Sequence, residues 1–125
     1  MKDLTRAEEQ IMQISWNFKK GLVKGISERF DDPKLAYTTI STIIRILETI
    51  GFVGHKAYGK THEYFPLIRK EEYTKAFIGN FVRNYFSNSY KKTVSFFARD
   101  NEVSLEEMEE MLKILQEEME KKKKS

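Results

Sequence analysis

The chain has 125 residues, 40% of them hydrophobic, a formal net charge of +3 and no cysteine. That length holds one compact domain, or a small domain plus an appendage. The absence of cysteine excludes disulfides, thiol catalysis and finger-type zinc sites, and fits a cytoplasmic protein.

No apolar run approaches the roughly 20 residues that span a bilayer. The N-terminal MKDLTRAEEQ lacks the apolar core of a secretion signal. Charge is uneven along the chain. Residues 1–69 carry 11 Lys/Arg against 8 Asp/Glu, whereas residues 70–125 carry 11 of each. The positive excess therefore lies in the first half.

A first helix is predicted from Thr5, where Thr5 and Glu8 form a T-x-x-E capping box. Leu4, Ile11, Ile14 (or Met12) and Phe18 supply its inward stripe, Trp16 packs nearby, and Gly21 ends it. A shorter helix fits 24–30, broken by Asp31, Asp32 and Pro33. The next stretch, 35–51, reads LAYTTISTIIRILETIG. Ala36, Ile40, Ile43, Ile44, Leu47 and Ile50 recur at helical spacing and form one apolar face. Thr38, Ser41, Thr42, Arg45 and Thr49 fall opposite. Short hydroxyls let a helix approach another surface closely, and an arginine can fork onto phosphate or a guanine edge. Two readings stand: a recognition helix for a DNA major groove, or a polar-faced helix in some other small domain.

After Gly51 the period becomes alternating. Residues 52–58 and 61–65 read as two strands around a Gly59-Lys60 turn, closed by Pro66. Three helices followed by a hairpin is the order of a winged helix. Its wing would carry Lys56, Tyr58, Lys60 and His62, a basic and aromatic tip suited to phosphates. An ordinary solvated hairpin is the alternative.

From Lys70 the pattern is helical again. Tyr73, Phe77, Phe81 and Tyr85 are spaced by four, and Phe86, Tyr90, Phe96 and Phe97 follow. A lone helix cannot bury so many rings, so a partner surface is required, and a second copy of the chain is the natural one. Ser104 and Glu107 form a second capping box. Leu105, Met108, Leu112, Leu115 and Met119 then alternate by three and four, a short a/d seam that Met111 and Ile114 broaden. Packing within one chain is the alternative to self-association. Residues 102–120 contain eight glutamates and one lysine, which keeps this helix away from DNA. The lysines at 121–124 complement a helix C-terminus.

Catalytic signals are missing. There is no G-x-S-x-G, P-loop or dinucleotide turn. His55 and His62 flank the hairpin turn and could face each other, but with Glu63 on the other face they make a poor metal site. No enzyme, metal or cofactor is expected. The fold class predicted is mainly α with a small β-hairpin, a winged helix-turn-helix over 1–69 followed by a helical dimerisation region over 70–125.

Four stretches carry a resemblance: LTRAEEQIMQISW, LAYTTISTIIRILETIGFV, GKTHEYFPLIRKEEY and VSLEEMEEMLKILQE. In that order, over nearly the whole chain, they resemble the penicillinase-repressor family (BlaI/MecI/CopY type) of bacterial winged-helix transcriptional repressors. The resemblance implies a homodimer on a palindromic double-stranded DNA operator, with three C-terminal helices interlocked between subunits. For members that respond to β-lactams it also implies a membrane metalloprotease sensor as partner, and cleavage at an Asn-Phe bond. That bond corresponds here to Phe96 and Phe97, so the Asn is absent. The cysteine pairs of the copper-responsive branch are also absent. Relatives often carry basic residues where this chain has Ile46 and Ile50.

On this reading Thr38, Ser41, Thr42 and Arg45 face base edges, and Tyr37, Lys56, Tyr58 and Lys60 hold the backbone. Phe77, Phe81, Tyr85, Phe96, Phe97, Leu105, Met108, Leu112 and Leu115 form the dimer surface. The competing readings are a winged-helix protein-interaction module and a regulator whose aromatic C-terminal region encloses a small apolar effector.

Overall fold

The structure, a computed structural model, describes residues 1–29 and 36–125, without the Leu22 side chain. The expected helix break at Asp31, Asp32 and Pro33 and the position of Leu35 lie outside the described residues. The elements are α1 (Arg6–Phe18), β1 (Gly21–Leu22), α2 (Val23–Glu28), α3 (Tyr37–Thr49), β2 (Val53–Tyr58), β3 (Thr61–Pro66), α4 (Lys70–Phe86), α5 (Tyr90–Ala98) and α6 (Leu105–Lys124). They form two compact units, Met1–Ile78 and Gly79–Ser125.

In the first unit the capping box starts α1 as predicted. Thr5 Oγ1 accepts from the Glu8 N–H at 3.2 Å, and Glu8 Oε1 accepts from the Thr5 N–H at 2.8 Å. The helix stops earlier than expected, at a C-cap Lys19 with φ 64°. Gly21 is not its terminator but the first residue of β1, which pairs antiparallel with β3 in the register Gly21↔Tyr64 and Leu22↔Glu63. The predicted hairpin is thus two strands of a three-stranded sheet, ordered β1-β3-β2.

The ends of α3 and the turn of the hairpin follow local chemistry. Phe52 N–H reaches Leu47 O at 2.9 Å and Gly51 N–H reaches Glu48 O at 3.1 Å. This is a Schellman closure, and it needs the positive φ of 83° that Gly51 adopts. Gly59 takes φ 63° in the β2–β3 turn for the same steric reason.

The core gathers Ile11 and Met12 of α1, Ile26 of α2, Ile40, Ile44 and Leu47 of α3, Phe52, Val53, Tyr64 and Tyr73. Each buried aliphatic side chain contributes about 1.5–3 kcal/mol relative to exposure. Two polar tethers close it. Trp16 Nε1–H donates to Ile68 O at 2.8 Å, and the Tyr73 hydroxyl accepts from the Leu4 N–H at 2.9 Å. Three apolar residues assigned inward are exposed instead. Ala36 is only the N-cap of α3 and Ile50 its C-cap, so the apolar stripe ends inside them. Phe18 lies under the Arg29 guanidinium at 4.0 Å. Three helices with a small sheet and its hairpin make this unit a winged helix.

Candidate nucleic-acid interface

Helix α3 turns Ile40, Ile44 and Leu47 into the core and leaves Thr38, Thr42, Arg45 and Thr49 exposed on the far side. Tyr37, at its first position, is also exposed, whereas Ser41 is half-buried. Thr39 and Ile46 join the exposed face. The hydroxyls of Thr42 and Thr49 donate back to Thr38 O and Arg45 O, at 3.0 and 2.9 Å. Their protons are therefore committed to the helix.

The wing flanks this helix. Strand register puts Lys56 opposite Glu63, and His55 and Ala57 opposite Tyr64 and His62. Facing pairs share one side of a sheet. Lys56 and Tyr58 thus lie on one face, with the Lys56 ammonium 5.4 Å from the Tyr58 ring centre. Lys60 is exposed in the turn. On the opposite face, His55 and His62 stack at 4.2 Å with an interplanar angle of 8°. His55 Nδ1 is bonded to Glu48 Oε2 of α3.

The acid beside the histidines is therefore Glu48, not Glu63. Parallel stacked rings do not aim their nitrogens at one point. No group of three or more His, Cys, Asp or Glu that could hold a metal occurs among the described residues. The same Glu48 reaches Tyr64 electrostatically. Burial pushes the Tyr64 hydroxyl up from its ordinary range, Glu48 adds to this, Arg45 opposes it and Tyr37 adds again. These groups sit around the junction of α3 and the wing.

The second unit presents apolar surface. Among its described residues only Val82 is buried. Phe81 contacts Tyr85 and Phe86, and Phe86 meets Phe96 edge-on at 5.6 Å. Tyr85, Phe96, Phe97, Leu105, Leu112 and Leu115 are all exposed, Leu105 by 70%. Phe81 and Met108 are half-buried, and Phe77, on the α4 segment in the first unit, is exposed. Between α5 and α6 lies an open trough of ≈ 460 Å³, lined by residues including Val94, Phe97, Met108 and Leu112. Ser104 Oγ caps α6 by accepting from the Glu107 N–H at 3.1 Å.

Residues 4–117 match the family model described as Penicillinase repressor. The chain belongs to the penicillinase repressor family. Its relatives in that family include the methicillin resistance regulatory protein MecI of Staphylococcus aureus, 26% identical over 114 residues, covering 90% of this chain and 93% of that one. The penicillinase repressor of Bacillus licheniformis is 25% identical over 125 residues, covering 96% of this chain and 94% of that one. Both are named as regulators or repressors rather than enzymes. The solution structure of the DNA-binding domain of the repressor BlaI aligns at a TM-score of 0.50 and 23% identity, over 58% of this chain and 94% of that one. That likeness supports the winged-helix fold. No helix among the described residues is long and apolar enough to cross a membrane.

Sequence reasoning assigned neither Thr39 nor Glu48 to this surface, and named Ile46 only as a departure from the basic residue of relatives. Thr39 and Ile46 were legible from a helical projection, since they stand seven residues apart and Ile46 follows Thr42 by four. Glu48 was not, because its partner is set by where the wing folds.

Proposed function

We propose that this protein is a DNA-binding transcriptional repressor that acts as a homodimer on a palindromic operator. The observation that carries the proposal is the outward face of α3. Its exposed residues include no carboxylate, the half-buried Glu48 being bonded to His55, it carries Arg45, and it is flanked by a wing with Lys56, Tyr58 and Lys60. Membership in a family of repressors supports the same reading.

Thr38, Ser41, Thr42 and Arg45 face base edges, and Tyr37, Lys56, Tyr58 and Lys60 hold the sugar–phosphate backbone. Residues 1–69 perform this task. Residues 70–125 join two chains through Phe77, Phe81, Tyr85, Phe96, Phe97, Leu105, Met108, Leu112 and Leu115. A twofold dimer then sets its two α3 helices about one DNA turn, roughly 34 Å, or a multiple of it, apart. Repression is steric exclusion of the transcription machinery, and it takes place in the cytoplasm. If a membrane metalloprotease sensor relieves it at the bond between Phe96 and Phe97, α5 must first open, because that bond lies inside the helix.

The test is a mobility-shift titration with the duplex upstream of the protein's own gene. A complex of two chains per duplex at moderate salt, competed by the same duplex and not by a scrambled one, is expected. Recovery of a protein partner with no duplex bound specifically would reject the repressor reading in favour of an interaction module.

A further inference from the structure

The outward face of α3 is richer in carbon than a phosphate-gripping helix needs. It comprises Thr38, Thr39, Thr42, Arg45, Ile46 and Thr49, all exposed. Ile46 is 43% exposed. It adds nothing to the core, which Ile40, Ile44 and Leu47 fill from the other side of the helix. It stands one turn beyond Thr42, on the same face. The Thr42 and Thr49 hydroxyl protons are held by Thr38 O and Arg45 O. Each of these threonines is left with a methyl group and acceptor lone pairs to offer outward. Apart from Arg45, this face has no charge to offer, and Glu48, the only acid of α3, is bonded to His55 in the wing.

In a major groove most base-edge features are hydrogen-bonding groups. The apolar one is the C5-methyl of thymine. A protein partner would favour larger aromatic anchors than this face provides. An exposed apolar side chain on a helix face whose exposed residues include no carboxylate therefore has its best complement in the methyl group of thymine.

We propose that Ile46, supported by the neighbouring Thr42, selects thymine through its 5-methyl group, so that each half-site carries a thymine beside the base pair reached by Arg45. The inference rests on α3 being the helix that enters the groove, and the experiment separates the two. The full chain is used to select its preferred site from a pool of random duplexes at moderate salt. Each thymine of that site is then replaced singly by deoxyuridine, which removes the methyl group and leaves the hydrogen-bonding edge unchanged.

At one thymine per half-site, deoxyuridine should weaken binding about fourfold, the factor that burial of one methylene-sized group is worth. With Ile46→Ala the same replacement should cost nothing further, which is the coupling a double-mutant cycle measures. A preferred site that tolerates deoxyuridine everywhere overturns the methyl reading and leaves the repressor reading standing. Deoxyuridine sensitivity that persists undiminished in Ile46→Ala overturns the role of Ile46. Selection that yields no preferred site overturns the DNA-binding reading itself. Because Ile46 is exposed, its truncation leaves the core intact, and the deoxyuridine arm needs no variant at all.

Discussion

Arg45 has two candidate partners in DNA, a guanine edge and a phosphate, and one substitution separates them. If it reads guanine, Arg45→Ala costs about 1–3 kcal/mol on the preferred site and relaxes selectivity at one base pair. If it grips phosphate, all duplexes weaken alike and the salt slope falls by about 1. Titrations of both preferred and scrambled duplexes at several salt concentrations decide between them. Glu8 is a second residue with a sharp expectation, this time for stability. Burial alone would push its carboxyl up, but the bonds from the Thr5 backbone and hydroxyl, together with Lys2, hold it below its ordinary 4.5. A carboxyl lowered in the fold stabilises the protein above its unfolded value. That contribution disappears as pH falls through the lowered folded value. Glu8→Gln should therefore flatten the acid limb of a urea-denaturation profile, and Thr5→Ala should cost about 1 kcal/mol near neutral pH. Tyr73 gives the opposite limb. Burial raises its hydroxyl, the Leu4 bond lowers it, and Asp3, Glu9 and Glu8 raise it further. Because the folded value lies above the unfolded one, its contribution is complete below the ordinary tyrosine range and is lost as pH rises through the folded value.

Elements were legible where their signals are local. The Thr5–Glu8 box, the Gly51 closure and the hairpin around Gly59 each depend on a few adjacent residues, and each is where the sequence put it; of the expected Ser104–Glu107 box only the Ser104 half forms, its hydroxyl capping the Glu107 N–H. What the sequence does not reveal depends on distant partners. β1 is two residues long, too short for a period, and exists because Gly21 and Leu22 meet Tyr64 and Glu63 of β3. The stop of α1 at Lys19 puts a lysine at φ 64°, where local chemistry would ask for glycine. The outward face of α3 was legible as helical spacing. Its margin was not, since the half-burial of Ser41 and the engagement of Glu48 by His55 of the wing arise only in the fold. Element α4 yields a prediction of its own. Gly79 sits in its middle, and a Cβ built there would meet nothing within 4 Å. No close contact within the chain requires glycine, which costs a helix roughly 0.5–1 kcal/mol relative to alanine. Gly79→Ala should raise stability by that amount, read as a higher urea midpoint with an unchanged m-value.

At the scale of the molecule, the two units differ in what they leave uncovered. Met1–Ile78 holds a continuous core, whereas Gly79–Ser125 exposes Tyr85, Phe96, Phe97, Leu105, Leu112 and Leu115 together. Apolar surface on that scale is uncommon on a monomer and marks an interaction site. On the proposed reading the occupant is a second copy of the chain, since the eight glutamates of residues 102–120 disfavour DNA there. Leu112 lines the α5–α6 trough and is 55% exposed. Leu112→Glu should leave the separate core of the first unit folded while placing a charge on each side of a twofold interface. Sedimentation equilibrium should then show one chain, against the two that the proposed dimer predicts for the unaltered protein. Binding to the preferred duplex should fall by about 10²–10⁴, because the second half-site is no longer engaged at the high effective concentration that linkage provides. Lys60→Ala supplies the contrast. It should remain dimeric, weaken binding on every sequence and flatten the salt dependence, as loss of a phosphate contact does. A Leu112→Glu chain that stays dimeric and binds at full strength would remove the α5–α6 face from the interface and return the self-association surface to the aromatic row of α4.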